Sequence, residues 1–196
     1  MYTLVTSRFT NDTLEINKNY KLKKKFTGCI YGSPQEMSPK ILNDSLVFVI
    51  EMNNDTDSIE GIGLVRNKPY LDKYYRIYDH GDYNRFVYKS NYRVDRTTLW
   101  EHNKALVKVL EYVLFGEKTH LKRGSGFTTV TQKLLASKKD EKCKKLVLYK
   151  MINVIVSCFK IHYLFTRELS ITENDNNNNN DDNNNDDNNN DFFENI

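Results

Sequence analysis

The chain has 196 residues, 28% of them charged and 39% hydrophobic, with three cysteines and one tryptophan. All 29 basic residues precede position 171 and eight of the 26 acids follow it, so residues 1–170 carry a net charge of +11 and the last 26 residues are acidic. This length and balance exclude a large multidomain enzyme, a disulfide-built secreted domain and a polytopic membrane protein, and leave enough chain to bury one core without metal or disulfide staples.

Residues 2–9 (YTLVTSRF) alternate and predict a first strand. Residues 12–26 carry the basic run Lys21, Lys23, Lys24 and Lys25 on the anchors Leu14, Ile16 and Leu22, a short helix or an irregular excursion. Gly28 to Gly32 reads as a short strand between glycines, closed by Ser33-Pro34. A turn over Pro39–Asp44 then feeds Ser45 to Met52, whose LVFVIEM run of β-branched and aromatic residues is the clearest strand. A six-residue polar turn, Asn53 to Ser58, leads to the return strand Ile59 to Val65, where Gly61 and Gly63 predict a bulge or a close backbone approach.

Residues 70–98 interleave Tyr70, Tyr74, Tyr75, Tyr78, Tyr83, Phe86, Tyr88 and Tyr92 with Lys73, Arg76, Arg85, Lys89, Arg93 and Arg96. Asn84 to Val94 reads as a strand. Thr98-Leu99-Trp100-Glu101 has the capping-box pattern and opens a helix with Leu99, Leu106, Leu110, Val113 and Leu114 on one face, ended by Phe115-Gly116. Trp100 points away from that stripe and belongs either to the core or to a groove. A basic, glycine-containing loop spans Thr119 to Thr129, and Ala136 to Lys145 is a charged lead-in.

Leu146 to Phe165 is long enough to span a bilayer. Its polar residues Lys150, Asn153, Ser157 and Lys160, continued by Arg167, form one narrow stripe. That pattern predicts a mostly buried helix with one wet edge and no membrane span, and its wide apolar surface suits a homo-oligomer through residues 146–165. From about Thr172 the chain is low-complexity Asn/Asp with too little apolar surface to fold, either a product of AT-rich codon bias without function or an acidic tail able to compete with nucleic acid for the basic body. The organisation expected is an α+β domain over 1–118, a basic loop with a C-terminal helical extension over 119–170, and a disordered tail over 171–196.

Cys29, Cys143 and Cys158 are odd in number and widely spaced, which suits free thiols. The N-terminus lacks the basic and apolar regions of a signal peptide, so an intracellular, non-secreted protein is expected. The four histidines show no metal-ligand spacing; no metal, cofactor or enzymatic activity is expected. Asp79-His80-Gly81-Asp82 has the groups for acid–base chemistry but reads as a turn, and no G-x-S-x-G elbow is present.

Two stretches point to a partner. In the first, aromatic rings stack on unpaired bases while basic groups meet phosphates; its candidates are Lys73, Tyr74, Tyr75, Arg76, Arg85, Tyr88, Lys89 and Arg93. The competing reading is a sheet face whose tyrosines pack their rings and keep their hydroxyls wet. In the second, Lys122-Arg123-Gly124-Ser125-Gly126 lacks the Walker A order. His120, Lys122, Arg123, Gly124 and Gly126 still suit a backbone nest for phosphate, against the alternative of an exposed basic connection.

The segment order resembles the PUA-like superfamily, in its EVE, YTH and ASCH branch. There, an early strand leads to an "lk-GD-vvFY" strand, a polar turn and a "-i-Gi-eV" return strand. Pro39 to Val49 and Ile59 to Val65 have that shape, and the strand Tyr92 to Asp95 followed by a helix continues it, over roughly residues 2–115. The resemblance implies a small, curved, mostly antiparallel sheet or open barrel with flanking helices. It also implies a non-catalytic module binding nucleic acid, single-stranded or carrying a modified base. Asn43-Asp44 stands where the family has Gly-Asp, and the family's early tryptophans are missing, so no aromatic-cage residues carry over. The stretch from Tyr83 through the KRGSGFT loop also resembles uncharacterised proteins of large AT-rich DNA viruses, which implies the cytoplasm of a host cell or a virion. The alternatives are a structural or virion-associated interaction protein, and a metal-dependent nuclease working through Asp79, Asp82 or Asp95.

Overall fold

The computed structural model describes residues 2–116, 121, 124–135 and 141–174. In chain order its elements are β1 (Thr3–Phe9), α1 (Asn11–Lys23), β2 (Cys29–Ser33), β3 (Leu46–Asn53) and β4 (Ser58–Arg66). After a 3₁₀ turn (Gly81–Asn84) come β5 (Phe86–Ser90), β6 (Arg93–Asp95), α2 (Arg96–Phe115), β7 (Thr128–Thr129), α3 (Gln132–Leu135) and α4 (Glu141–Asn174). The architecture is α+β. Five strands form one sheet in the order β6-β4-β3-β1-β7, and β2 pairs with β5 in a second. The main sheet is mixed: β1 runs parallel to β3, Thr3 opposite Val47, and its other pairings are antiparallel.

The period-2 geometry of β3 builds two cores. Phe48, Ile50 and Met52 face one way and pack with Leu4, Ile62 and Leu64 against α2 and α4. Val47 and Val49 face the other way with Val5 and Val65, against α1 and the β2–β5 pair. Both faces being covered is why β3 reads as a continuous apolar run rather than an alternating one.

The expected strand over 84–94 is two short strands in different sheets. β5 joins β2, and after Asn91-Tyr92 the chain crosses to β6 on the edge of the main sheet. Most of the 12–26 segment is a regular helix, Asn11–Lys23, capped reciprocally by Thr10 and Thr13. The β3–β4 turn is shorter than expected, because Asn53 pairs with Ser58. In β4 the register slips so that Glu51 faces Gly61 and Met52 faces Ile59, which leaves Glu60 as the extra residue of a bulge.

The α2 helix starts three residues before the expected box. Asp95 is its N-cap, accepting from Thr98 N at 2.9 Å. It also breaks at Asn103 (φ −157°, ψ 84°), whose Oδ1 accepts from Leu106 N and so caps a second segment. Arg96 reaches Glu111 at 3.0 Å. Fifteen residues of straight helix would separate them by about 22 Å, so the two segments fold back on each other. Trp100 lies half-buried against the helical core, with Lys104 and Arg96 at 4.8 and 5.3 Å from its ring.

β7 pairs with β1, and Ile155, Cys158 and Phe159 of α4 are buried in the same core as α2. The prediction that α4 is mostly buried is corrected: only 22% of Val147–Leu164 is buried. Met151, Ile155, Cys158 and Phe159 form the inward stripe, while Val147, Tyr149, Ile161 and Leu164 are exposed. The sheet and α2 cover one side of this helix only. By length and composition, Val147–Leu164 is the one stretch among the described residues apolar enough to cross a membrane, with mean hydropathy 1.3. Residues 171–174 continue the helix, and the rest of the expected tail lies outside the described residues.

Candidate nucleic-acid interface

The chain from Tyr70 to Arg85 lies over the second core. Tyr70 N donates to Val87 O at 2.8 Å, fixing the segment to β5. Farther on, Tyr75 and Ile77 are buried while Tyr74 and Arg76 are exposed. This is the in–out alternation of an extended chain, held by a side chain rather than a neighbouring strand. Buried Asn84 does the holding: its Oδ1 accepts from Ile77 N and Tyr78 N, both at 2.9 Å, and its Nδ2 donates to Tyr78 O at 2.6 Å. The tyrosines thus divide. Tyr75 and Tyr78 are core, whereas Tyr70 and Tyr74 are 42% and 67% exposed.

Two clefts flank this segment. The first, about 450 Å³, lies between the end of α1, β2–β5 and the segment, with Tyr20, Phe26 and Ile30 as its apolar floor and Tyr74 and Tyr75 at its side. Lys24, Lys73, Arg76 and Lys89 also line it, with no carboxylate among the lining residues. The second, about 400 Å³, shares Lys73, Tyr74 and Tyr75 and adds Tyr70, Asn84 and Arg85. Its one acid, Asp82, is paired with Arg85 at 3.0 Å.

The cations are partly pre-placed on rings. Lys89 Nζ lies 4.6 Å from the Tyr70 centroid and 5.4 Å from that of Tyr75, and Lys73 Nζ lies 5.3 Å from Tyr75. The Tyr75 hydroxyl donates to both oxygens of Asp72, at 2.8 and 2.9 Å. That bond holds the Asp72 carboxyl below its usual range, while burial and then Asp72 push the Tyr75 phenol up.

Tyr88 and Arg93 are not on this surface. Tyr88 is buried, its hydroxyl accepting from Met37 N at 3.1 Å. Arg93 turns inward over β4 to grip Glu51 of β3, with Nη2 to Oε2 at 2.7 Å and Nε to Oε1 at 3.0 Å. Gly61 makes this possible, because a Cβ there would lie 2.9 Å from the guanidinium. At Gly63 a Cβ would collide with the Tyr31 hydroxyl and the Cys29 thiol. Tyr31 donates to Glu51 Oε1 at 2.8 Å. Burial opposes ionisation of Glu51, yet Arg93, helped by Lys21 and Tyr31, keeps its carboxyl below the ordinary range. Burial, followed by Glu51, pushes the Cys29 thiol up to about 12. This set is an internal tie between strands; its thiol is not activated.

Of the glycine loop, His120, Lys122 and Arg123 lie outside the described residues. Gly124 and Gly126 both have positive φ, 102° and 67°, which suits glycine. Their carbonyls face a cation: Arg8 donates to Gly124 O at 3.2 Å and Gly126 O at 3.0 Å, as well as to Leu121 O and Thr128 Oγ1. Two of the three carboxylates of the nuclease alternative are engaged with separate partners. Asp95 caps α2, Asp82 pairs with Arg85, and Asp79 is exposed. Among the described residues no group of three or more His, Cys, Asp or Glu could hold a metal ion.

The structure therefore brings together Lys73, Tyr74, Tyr75, Arg76, Arg85 and Lys89, and leaves Tyr88, Arg93, Gly124 and Gly126 elsewhere. The sequence reading missed Tyr20, Lys24, Phe26 and Ile30. The signal for them was present as a basic run between two aromatics, Tyr20 and Phe26, but only tertiary packing sets it beside residues 73–76. No family model matches the chain, and no curated protein or solved structure matches it.

Proposed function

We propose that this protein is a non-catalytic nucleic-acid-binding module whose contact surface is the pair of clefts around Tyr74 and Tyr75. The observation that carries the reading is the first cleft: four cations, no acid, an apolar floor and an exposed ring in a space of nucleotide size. Cations supply sequence-independent affinity for phosphates, and exposed aromatics favour unpaired or modified bases over a closed duplex. In its finer form the fold is an open PUA-like barrel, a reading supported by the β2–β5 pair packed over one face of the main sheet. The test is fluorescence anisotropy with a labelled oligonucleotide across a salt series. Lys73→Ala with Lys89→Ala should weaken binding to every sequence and lower the salt slope by about two, one per lost phosphate contact. An unchanged affinity and slope in the folded variant would refute the reading.

A second reading, self-association through α4, is favoured by the exposure of Val147, Tyr149, Ile161 and Leu164. It requires a dimer in light scattering that persists in high salt and dissociates on Ile161→Glu.

A further inference from the structure

Tyr74 is the one aromatic residue that lines both clefts and is itself mostly exposed. Its hydroxyl lies 3.5 Å from Nδ2 of buried Asn84. It also overhangs Gly81, where an added Cβ would lie 3.7 Å away. The hydroxyl end of the side chain is thus held at the Asn84 knot, and the exposed ring borders both clefts. Lys73 lines both clefts as well. Beyond them the walls differ: Lys24, Arg76 and Lys89 on one side, Arg85 on the other.

We propose that Tyr74 is a wedge that enters between two consecutive bases of a single strand, seating one base in each cleft, with Lys73 at the phosphate that joins them. This rests on the nucleic-acid reading above and adds a stoichiometry and a strand state to it. A ring offers two π-faces, and every base has one, so the arrangement is tolerant of sequence. A duplex would have to unpair and unstack to admit the ring, at a cost of a few kcal/mol per step. The site therefore selects single strands by the work that pairing demands.

The experiment uses the full chain and three fluorescent probes with equal numbers of phosphates: a mixed-sequence single strand, the same length of abasic strand, and a closed hairpin duplex. Wild type should bind the base-bearing strand well above the other two. Tyr74→Ala should lose about tenfold or more on that strand, nothing on the abasic strand, and none of the salt slope. Tyr74→Phe should retain binding, since it keeps both faces of the ring. Because Tyr74 is exposed, a matched thermal midpoint should accompany both variants. Equal losses on the base-bearing and abasic strands, or no loss on either, would overturn the wedge while leaving electrostatic binding in place. Failure of wild type to bind any of the three probes in a salt-dependent way would overturn the underlying reading too.

Discussion

The two faces of the main sheet are built from different chemistry. Toward α2 and α4, Leu4, Phe48, Ile50, Leu99, Leu110, Ile155 and Phe159 make an aliphatic and aromatic core, with only a few polar ties such as Glu111 to Ile59 N. Toward α1 and β2–β5, the core is threaded by Glu51, Asn17, Asn84 and the hydroxyls of Tyr31, Tyr78 and Tyr88, all hydrogen-bonded. An apolar interface is set by volume and tolerates repacking. A buried polar network admits few arrangements, because each unmet partner costs about 1–3 kcal/mol. The second kind of core is the one beneath the clefts, where it bears on which rings turn inward and which stay exposed.

The sharpest way to break this contrast is at Glu51. Glu51→Gln removes one partner of a buried ion pair and leaves the Arg93 charge uncompensated, so urea unfolding should lose about 3–5 kcal/mol. Replacing both residues by methionine should cost far less, because no stranded charge remains. The pH dependence has a definite sign. The folded-state carboxyl lies below its ordinary value of 4.5, so its contribution is complete above that value and is lost as the pH falls through the lower, folded one. Glu51→Gln should flatten this acid limb of the stability curve. An unaltered limb would show that the pair does not govern acid unfolding.

Asn84→Ala is the next largest effect. It would strand the amides of Ile77 and Tyr78 and the carbonyl of Tyr78, at a cost of about 2–3 kcal/mol in the same measurement. It should also weaken binding to base-bearing strands, because the segment that presents Tyr74 and Arg76 loses its anchor. Full retention of base-dependent binding would separate the network from the clefts.

The other face provides the control. Asp95→Ala removes the cap of α2 and should cost about 1 kcal/mol, with no change in the affinity or salt slope for any oligonucleotide. A parallel loss of binding would mean that the two faces are coupled through the sheet.

How much of this was legible in the sequence follows from the range of each interaction. The β3–β4 hairpin was legible because periodicity and turn residues are local, and the Gly61–Gly63 pair announced its own bulge and close approach. The parallel pairing of β1 with β3 and the exit of β6 to a different sheet from β5 were not, since no short pattern encodes which strands become neighbours. The start of α2 was misplaced by three residues because Asp95 and Thr98 are both good caps, and it is Asp95 that accepts from the Thr98 amide. At the site, composition singled out residues 70–96, but an aromatic that packs and one that stays exposed are the same letter. Tyr75 and Tyr74 differ only in the direction that Asn84 imposes on the backbone between them and the 3₁₀ turn.

The smallest effect on stability and a measurable one on binding are expected from the acidic C-terminus. Removing residues 175–196 deletes Asp175, Asp181, Asp182, Asp186, Asp187, Asp191 and Glu194 and leaves every described element in place. The deleted stretch is nearly all Asn and Asp, with too few apolar groups to add to either core, so the thermal midpoint should not move. Its charge acts at longer range. Seven carboxylates tethered to a body of net +11 compete with phosphate for the same cations. The shortened chain should bind oligonucleotides more tightly, by a factor that shrinks as salt screens both attractions. The gain should disappear when Lys73 and Lys89 are replaced together, because the competition is then for cations no longer present. A gain that survives those replacements would place the competition on other basic groups, and a fall in midpoint on truncation would show that the acidic segment contributes to the fold.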